Sequence, residues 1–158
     1  MEELTAQDIM TKNVITITGD STIGELSKLL LENKISGVPV VDEDGKLAGM
    51  ITDADIITED IAPIFPYYVD PLVMSYGFIE NIEQYQKNMK EYLETKVKEI
   101  MTHKVRTVRK DTPVSEVAKI MVRDRVNRVP VVDEDNKLVG IIARADIIKS
   151  MVNEADKE

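Results

Sequence analysis

The 158-residue chain has no cysteine, no tryptophan and one histidine, His103. Without cysteine there is no disulfide frame, no thiolate metal site and no cysteine nucleophile. With one histidine, neither a His-rich metal centre nor a Ser-His-Asp triad has its parts. No apolar run approaches the roughly 18 residues that span a bilayer. The acidic start "MEELTAQDIM" lacks the basic and apolar regions of a secretory signal. These absences lead to the expectation of a soluble, cytoplasmic protein, with neither metal nor membrane as partner and no catalytic nucleophile–base pair, hence not an enzyme.

Arginine is missing from the first two-thirds: all six arginines lie between Arg106 and Arg144. Residues 1–57 carry 4 basic and 11 acidic side chains, whereas residues 99–148 carry 10 basic and 8 acidic ones. A net charge of −9 argues against sequence-independent nucleic-acid binding, which needs a basic face to displace counterions. An anion bound here finds its cations mainly in the second half. Aromatics are equally confined: all seven fall between Phe65 and Tyr92.

What the chain does have is repetition. "VPVVDEDGKLAG" from Val38 returns as "VPVVDEDNKLVG" from Val129, an offset of 91. At that offset residues 8–57 align with 99–148 without a gap, with 23 of 50 positions identical. The period and copy number are wrong for a solenoid and right for a pseudo-symmetric pair. One fifty-residue copy buries too little surface to stand alone, so two must share a core.

Each copy reads as a short helical lead-in ending at "IMT", then β-α-β-β-α. "VITI" and "VRTV" alternate as strands. Ser21 and Thr112 are expected as N-caps, with Pro113 in the first helical position. Ile23, Leu26, Leu29 and Leu30 form a one-sided helical stripe. "VPVV" is a buried strand, and Pro39 and Pro130 are expected at a strand's start or edge because each lacks a ladder donor. "DEDG" and "DEDN" turn a hairpin, with Gly45 and Asn136 suited to positive φ. Their spacing does not fit a calcium loop. The fold class is therefore α/β (α+β), with a small mixed sheet and two helices per copy. The organisation is repeat 1 over 1–57, an insert over 58–98, and repeat 2 with a tail over 99–158. The insert opens with the three-proline stretch "APIFPYYVDP". From about Ile79 it reads as a helix of some twenty residues, with an apolar stripe at Ile82, Tyr85, Met89, Tyr92, Leu93, Val97 and Ile100. That stripe suits a linker helix packed on the repeats, or a docking surface.

"SGVPVVDEDGKLAGMITDADII" and "NRVPVVDEDNKLVGIIARADII" resemble cystathionine-β-synthase (CBS) domains, over about two-thirds of the chain. The resemblance implies a tandem CBS pair, or Bateman module. Such pairs bind adenine nucleotides (AMP, ADP or ATP) or S-adenosylmethionine-like molecules in two clefts, and commonly form homodimers. The resemblance also implies residue roles. Asp55 and Asp146 would hold ribose hydroxyls, and Thr52 would touch ribose or phosphate; its counterpart Ala143 departs from the pattern. Asn127 and Arg128 would reach phosphate, where the first copy has Ser36 and Gly37. Thr16 and Thr107 would line the adenine pocket.

Several of these residues have structural roles open to them as well. Thr52 and Asp55 form the pattern of a capping box. With Ala143 in the second copy the reciprocal box is lost and the helix dipole is the weaker structural role left to Asp146, so Asp146 is expected to bind ribose and the cleft leaning on the second copy to be the occupied one. Arg144 joins Arg128 as a phosphate candidate, since guanidinium fits phosphate bidentately. Lys34 and Arg125, at the end of each copy's first helix, read as complements to the helix C-terminus. The expected function is an adenosine-ligand sensor acting on an unidentified protein partner. The alternative is a ligand-free docking module using the aromatic insert. A DNA-acting regulator would need a basic helix that the sequence does not show.

Overall fold

The computed structural model describes residues 3–58, 61 and 74–157, with side chains of the last segment described from residue 83. The "APIFPYYVDP" stretch and the side chains of Tyr76, Phe78 and Ile82 lie outside the described residues. The elements are α1 (Ala6–Ile9), β1 (Ile17–Thr18), α2 (Ile23–Asn33), β2 (Gly37–Val41), β3 (Leu47–Thr52), α3 (Asp53–Ile56), α4 (Met74–Leu93), α5 (Val97–Ile100), α6 (Val114–Arg123), β4 (Arg128–Val132), β5 (Leu138–Ala143) and α7 (Arg144–Ala155). This is the expected α+β architecture with small sheets.

In the first copy β1 runs parallel to β2, and β2 pairs antiparallel with β3. The second copy repeats the β4–β5 hairpin, and its first strand shrinks to a single parallel bridge between Val108 and Val131. "VITI" and "VRTV" therefore give shorter strands than their alternation predicts. The residues before Ile17 and Val108 wall a cleft instead of joining the ladder.

Pro39 and Pro130 sit in mid-strand, not at a start, opposite Met50 and Ile141; β4 is an edge strand of its two-stranded sheet, as expected for Pro130, whereas Pro39 lies on the central strand of three. The physical reason is visible in the ladder. Met50 exchanges both backbone bonds with Thr102 (3.0 and 2.9 Å), and Ile141 does the same with Thr11 (3.0 and 2.9 Å). These partners face away from the prolines, so each proline occupies a non-hydrogen-bonded position where its missing N–H costs no ladder bond.

Those same bonds show that the copies exchange their lead-ins. Thr11 belongs to the first copy but pairs with β5 of the second, and Thr102 pairs with β3 of the first. Ala6 on α1 is fully buried in the second core, beside Val117, Val129 and Ile142. Val97 on α5 is fully buried in the first, beside Leu26, Val38 and Ile51. The lead-ins also supply the helix starts. Thr95 O accepts from Ile23 N–H at 2.8 Å, and Leu4 O accepts from Val114 N–H at 2.9 Å. The expected caps move accordingly. Thr22, not Ser21, caps α2 by accepting from Glu25 N–H at 3.2 Å, and Pro113 holds the N-cap of α6 in place of Thr112. The glycine of each return strand is explained by the same crossing. A Cβ on Gly49 would meet Met101 Sδ and Thr102 O at 2.7 Å, and one on Gly140 would collide with Met10 Sδ.

The hairpin tips join as well. Leu47 N–H reaches Asn136 O at 3.0 Å and Leu138 N–H reaches Gly45 O at 3.1 Å. Gly45 and Asn136 both have positive φ, 76° and 62°. Asp42 Oδ1 accepts from the N–H groups of Asp44 and Lys46, and Asp133 Oδ1 from those of Asp135 and Lys137, all at 2.9 Å. The repeated acids are thus turn-makers.

Helix α4 begins five residues before the expected Ile79 and ends at Leu93, so the predicted stripe is broken: Val97 and Ile100 belong to α5. Tyr92 and Leu93 pack on the first core.

Candidate functional site

The offset of 91 applies to cavities as well as to strands. One cleft of about 310 Å³ is walled by Met50 and Thr52–Asp55 of the first copy, and by Thr102, Lys104–Arg106 and Arg125–Arg128 of the second. Its counterpart, of about 540 Å³, is walled by Ile141, Ala143 and Asp146 of the second copy, with Thr11, Asn13–Ile15 and Lys34–Gly37 of the first. Both volumes fall in the roughly 300–1,000 Å³ range of small-molecule sites. We refer to them as the Asp55 cleft and the Asp146 cleft.

Each acid stands in the first turn of the helix that follows a return strand. Asp55 Oδ2 accepts from Thr52 N–H at 2.8 Å, and Asp146 Oδ2 accepts from Ala143 N–H at 2.7 Å. The acid half of the capping box is therefore intact in both copies, and the loss of threonine at Ala143 does not release Asp146 from it. Thr52 Oγ1 lies a long 3.5 Å from Asp55 Oδ2. In each carboxylate Oδ1 accepts no hydrogen bond among the described residues, which leaves it available to a donor in the cleft.

The cations are distributed unequally. Lys104, Arg106 and Arg128 line the Asp55 cleft at positions where the first copy has Asn13, Ile15 and Gly37. Arg125 joins them, matched by Lys34 in the other cleft. Arg106 is bound to Asp124 at 2.9 Å, which holds that carboxyl below its usual value. Lys104 and Arg125 have no ion-pair partner among the described residues. Asp53 adds one negative charge on the same wall.

Lys34 and Arg125 stand at helix ends as expected, Lys34 as the C-cap of α2 and Arg125 one residue past that of α6, and each also lines a cleft. Both have left-handed backbones, φ 52° and 54°, a conformation uncommon for non-glycine residues. Their signal was available as two basic residues at one offset, one position before the turn into "VPVV". Lys104 and Arg106 carried no local signal. They count only because α5 and the following loop cross to the first copy.

The sequence-derived candidates are thus regrouped. Thr52, Asp55, Asn127 and Arg128 come together in one cleft, and Asp146 stands in the other, where Arg128 also reaches. Thr16 lines a shallow depression with Thr18, Ser21 and Glu25, outside both clefts. Thr107 and Arg144 line neither. Arg144 is exposed at the start of α7, and its N–H is given to Asn127 O at 3.2 Å. Among the described residues there is no group of three or more His, Asp or Glu that could hold a metal ion, and no helix long and apolar enough to cross a membrane.

Comparison with known proteins agrees with this geometry. The CBS domain model matches residues 6–61 and 97–153. The uncharacterized protein MJ1426 of Methanocaldococcus jannaschii is 34% identical over an alignment of 157 residues that covers 96% of this chain and 93% of that protein. Several other relatives are longer, and the chain spans 22% to 63% of them. Among solved structures, CBSX2 in complex with AMP superposes with a TM-score of 0.71 at 25% identity, covering 96% of this chain and 98% of that one. The CBS domain pair of protein MJ0100, in complex with 5′-methylthioadenosine and S-adenosyl-L-methionine, gives 0.69 at 29% identity, covering 97% and 99%. With two matched repeats, exchanged lead-ins and paired clefts, the chain belongs to the CBS-domain family, as a tandem CBS pair.

Proposed function

We propose that the protein is a regulatory module, not a catalyst, that senses an adenine nucleotide (AMP, ADP or ATP) in the Asp55 cleft. The observation that carries this reading is the meeting, in one cleft, of a carboxylate with a free oxygen and four basic side chains. A ribose offers two hydroxyl donors, for which Asp55 Oδ1 is the natural acceptor. A phosphate chain offers several charges, for which Lys104, Arg106, Arg125 and Arg128 are the natural partners. The AMP complex of CBSX2 supports the ligand class.

A second observation favours a different ligand in the Asp146 cleft. Its Asn13 and Ile15 stand where the other cleft has cations, which leaves Lys34 and the shared Arg128, so it suits an adenosyl compound with little or no phosphate, such as an S-adenosylmethionine-like molecule. The ligands of the MJ0100 pair support this reading.

The route to a partner runs through α3. Asp55 is followed by Ile56, whose carbonyl accepts from the Tyr92 hydroxyl at 2.6 Å. A ligand that holds Asp55 therefore biases the helix to which α4 is tied, and an unidentified protein partner reads the change. This requires the ligand to prefer one arrangement over another. The protein acts as a homodimer. Its exposed large apolar residues include Leu31 and Val122, and Ile57 and Ile148, each pair at one repeat position. A second copy of such a surface is its simplest cover.

Calorimetric titration of ligand-stripped protein with AMP, ADP, ATP and S-adenosylmethionine tests the assignment. Asp55→Ala is expected to weaken the tightest nucleotide step at least about tenfold, the scale of a lost charge-assisted hydrogen bond. Asp146→Ala is expected to leave that step unchanged. The reverse pattern moves the nucleotide to the other cleft. No heat with any of the four favours the ligand-free docking module.

A further inference from the structure

Among the described residues, two line both clefts: Ser36 and Arg128. They are bonded to each other, Arg128 Nη2 donating to Ser36 Oγ. Together they form the partition between the cavities. Arg128 starts β4 in the second copy, yet its guanidinium lies against the first, with Nη1 3.1 Å from where a Cβ on Gly37 would stand. Gly37 is the repeat equivalent of Arg128. The local two-fold relation thus brings one sequence position against itself, where two long side chains cannot fit. One copy has the arginine and the other has glycine to admit it.

A guanidinium carries five donors in a rigid fork. Ser36 occupies one nitrogen, and the remaining donors are left at the boundary. Arg128 is half-buried, and burial lowers its pKa from the ordinary value while nearby Asp53 acts in the opposite sense. Arginine nonetheless stays charged at any working pH. A half-buried cation facing two cavities attracts an anion in either, but one fork cannot close bidentately on two phosphates in different cavities at once.

We propose that Arg128 is a shared specificity residue for which phosphate groups in the two clefts compete. Filling one cleft with a phosphorylated adenine ligand then weakens phosphate binding in the other, while an adenosine ligand without phosphate is indifferent. The proposal rests on the nucleotide reading above and adds the coupling between sites.

The test uses methyl NMR of the full chain, with Met50 reporting the Asp55 cleft and Ile141 the Asp146 cleft, each lining only one. AMP is titrated into the unmodified protein, into Asp55→Ala, and into Asp55→Ala combined with Arg128→Ala. Weakening AMP in the Asp55 cleft is expected to tighten the AMP affinity seen at Ile141 by up to roughly tenfold, the scale of one charge-assisted bond. The Arg128→Ala change is expected to remove that gain. Adenosine in place of AMP is expected to show no gain. An Ile141 response indifferent to both changes, or absent in Asp55→Ala, overturns the sharing, while AMP binding at Met50 in the unmodified protein upholds the nucleotide reading. A gain of equal size with adenosine also overturns it, in favour of a conformational coupling. No AMP response at either methyl overturns both.

Discussion

Gly37 and Arg128 hold the same position in the two copies and meet at the junction between them, with Arg128 Nη1 and Thr52 Cγ2 occupying the space beside the glycine. A Cβ on Gly37 would lie 2.7 Å from Thr52 Cγ2 and 3.1 Å from Ile51 O. Ile51 is fully buried and its backbone fixed in the ladder, so the neighbours that must yield are Thr52 and Arg128. Gly37→Ala is therefore expected to destabilise the fold by about 1–3 kcal/mol, as overpacking does. Urea unfolding checks this, and an unchanged midpoint contradicts the close approach.

The exchanged lead-ins make each copy's core depend on the other copy's chain. Removing residues 1–10 deletes Ala6 from the second core and Leu4 O from the start of α6, but leaves the first core complete. Hydrogen exchange is expected to speed up in β4 and β5 much more than in β2 and β3. Equal effects on both hairpins would show that the lead-in is not a private part of the second core.

Val97 makes the reciprocal case, being fully buried in the first core. Val97→Ala removes two methyl groups and leaves a cavity. The expected loss is roughly 2–3 kcal/mol by chemical denaturation.

Tyr92 links α4 to α3 through one hydrogen bond, and burial raises its pKa, so the hydroxyl stays a donor across the neutral range. In the unmodified protein, AMP is expected to slow exchange of the backbone amides in residues 83–93. Tyr92→Phe is expected to abolish that response and to leave AMP affinity within about twofold, since only the neutral bond, worth about 1 kcal/mol, is lost. A response that survives in Tyr92→Phe places the coupling elsewhere.

Dimerisation is checked by sedimentation. Leu31 is 79% and Val122 76% exposed, on α2 and α6. Leu31→Glu with Val122→Glu is expected to convert a dimer to a monomer without changing the unfolding midpoint by more than a few tenths of a kcal/mol per site. A dimer that persists puts the interface on another face.

Acid sensitivity follows from three lowered carboxyls. Thr5 N–H lowers Asp8, the Lys98 bond lowers Asp20, and the Arg106 bond lowers Asp124, each from an ordinary 3.8. A carboxyl lower in the folded state than in the unfolded one adds stability that is complete above the unfolded value and lost as pH falls through the folded one. The contribution is thus expected to be flat above about pH 5 and to fall below 3.8, small because all three groups are exposed. Thermal melts across pH 2–7 check the direction.

Local chemistry made much of the fold legible. The offset of 91 is visible when the chain is aligned with itself, and the apolar stripe of α2, the turn acids Asp42 and Asp133, and positive φ at Gly45 and Asn136 all depend on neighbours within a few residues. The acids Asp55 and Asp146 were legible for the same reason, as first-turn carboxylates after a return strand. What only the tertiary structure decided was partnership. Nothing local says that Thr102 crosses to Met50, that Lys104 and Arg106 face Asp55, or that Arg128 leans over Gly37 to reach both cavities. Those relations arise because each fifty-residue copy completes its core with the other's lead-in, and that exchange sets which charges share a cleft. The sequence by itself determined two similar halves with two carboxylates. The packing of one half through the other made the two clefts different.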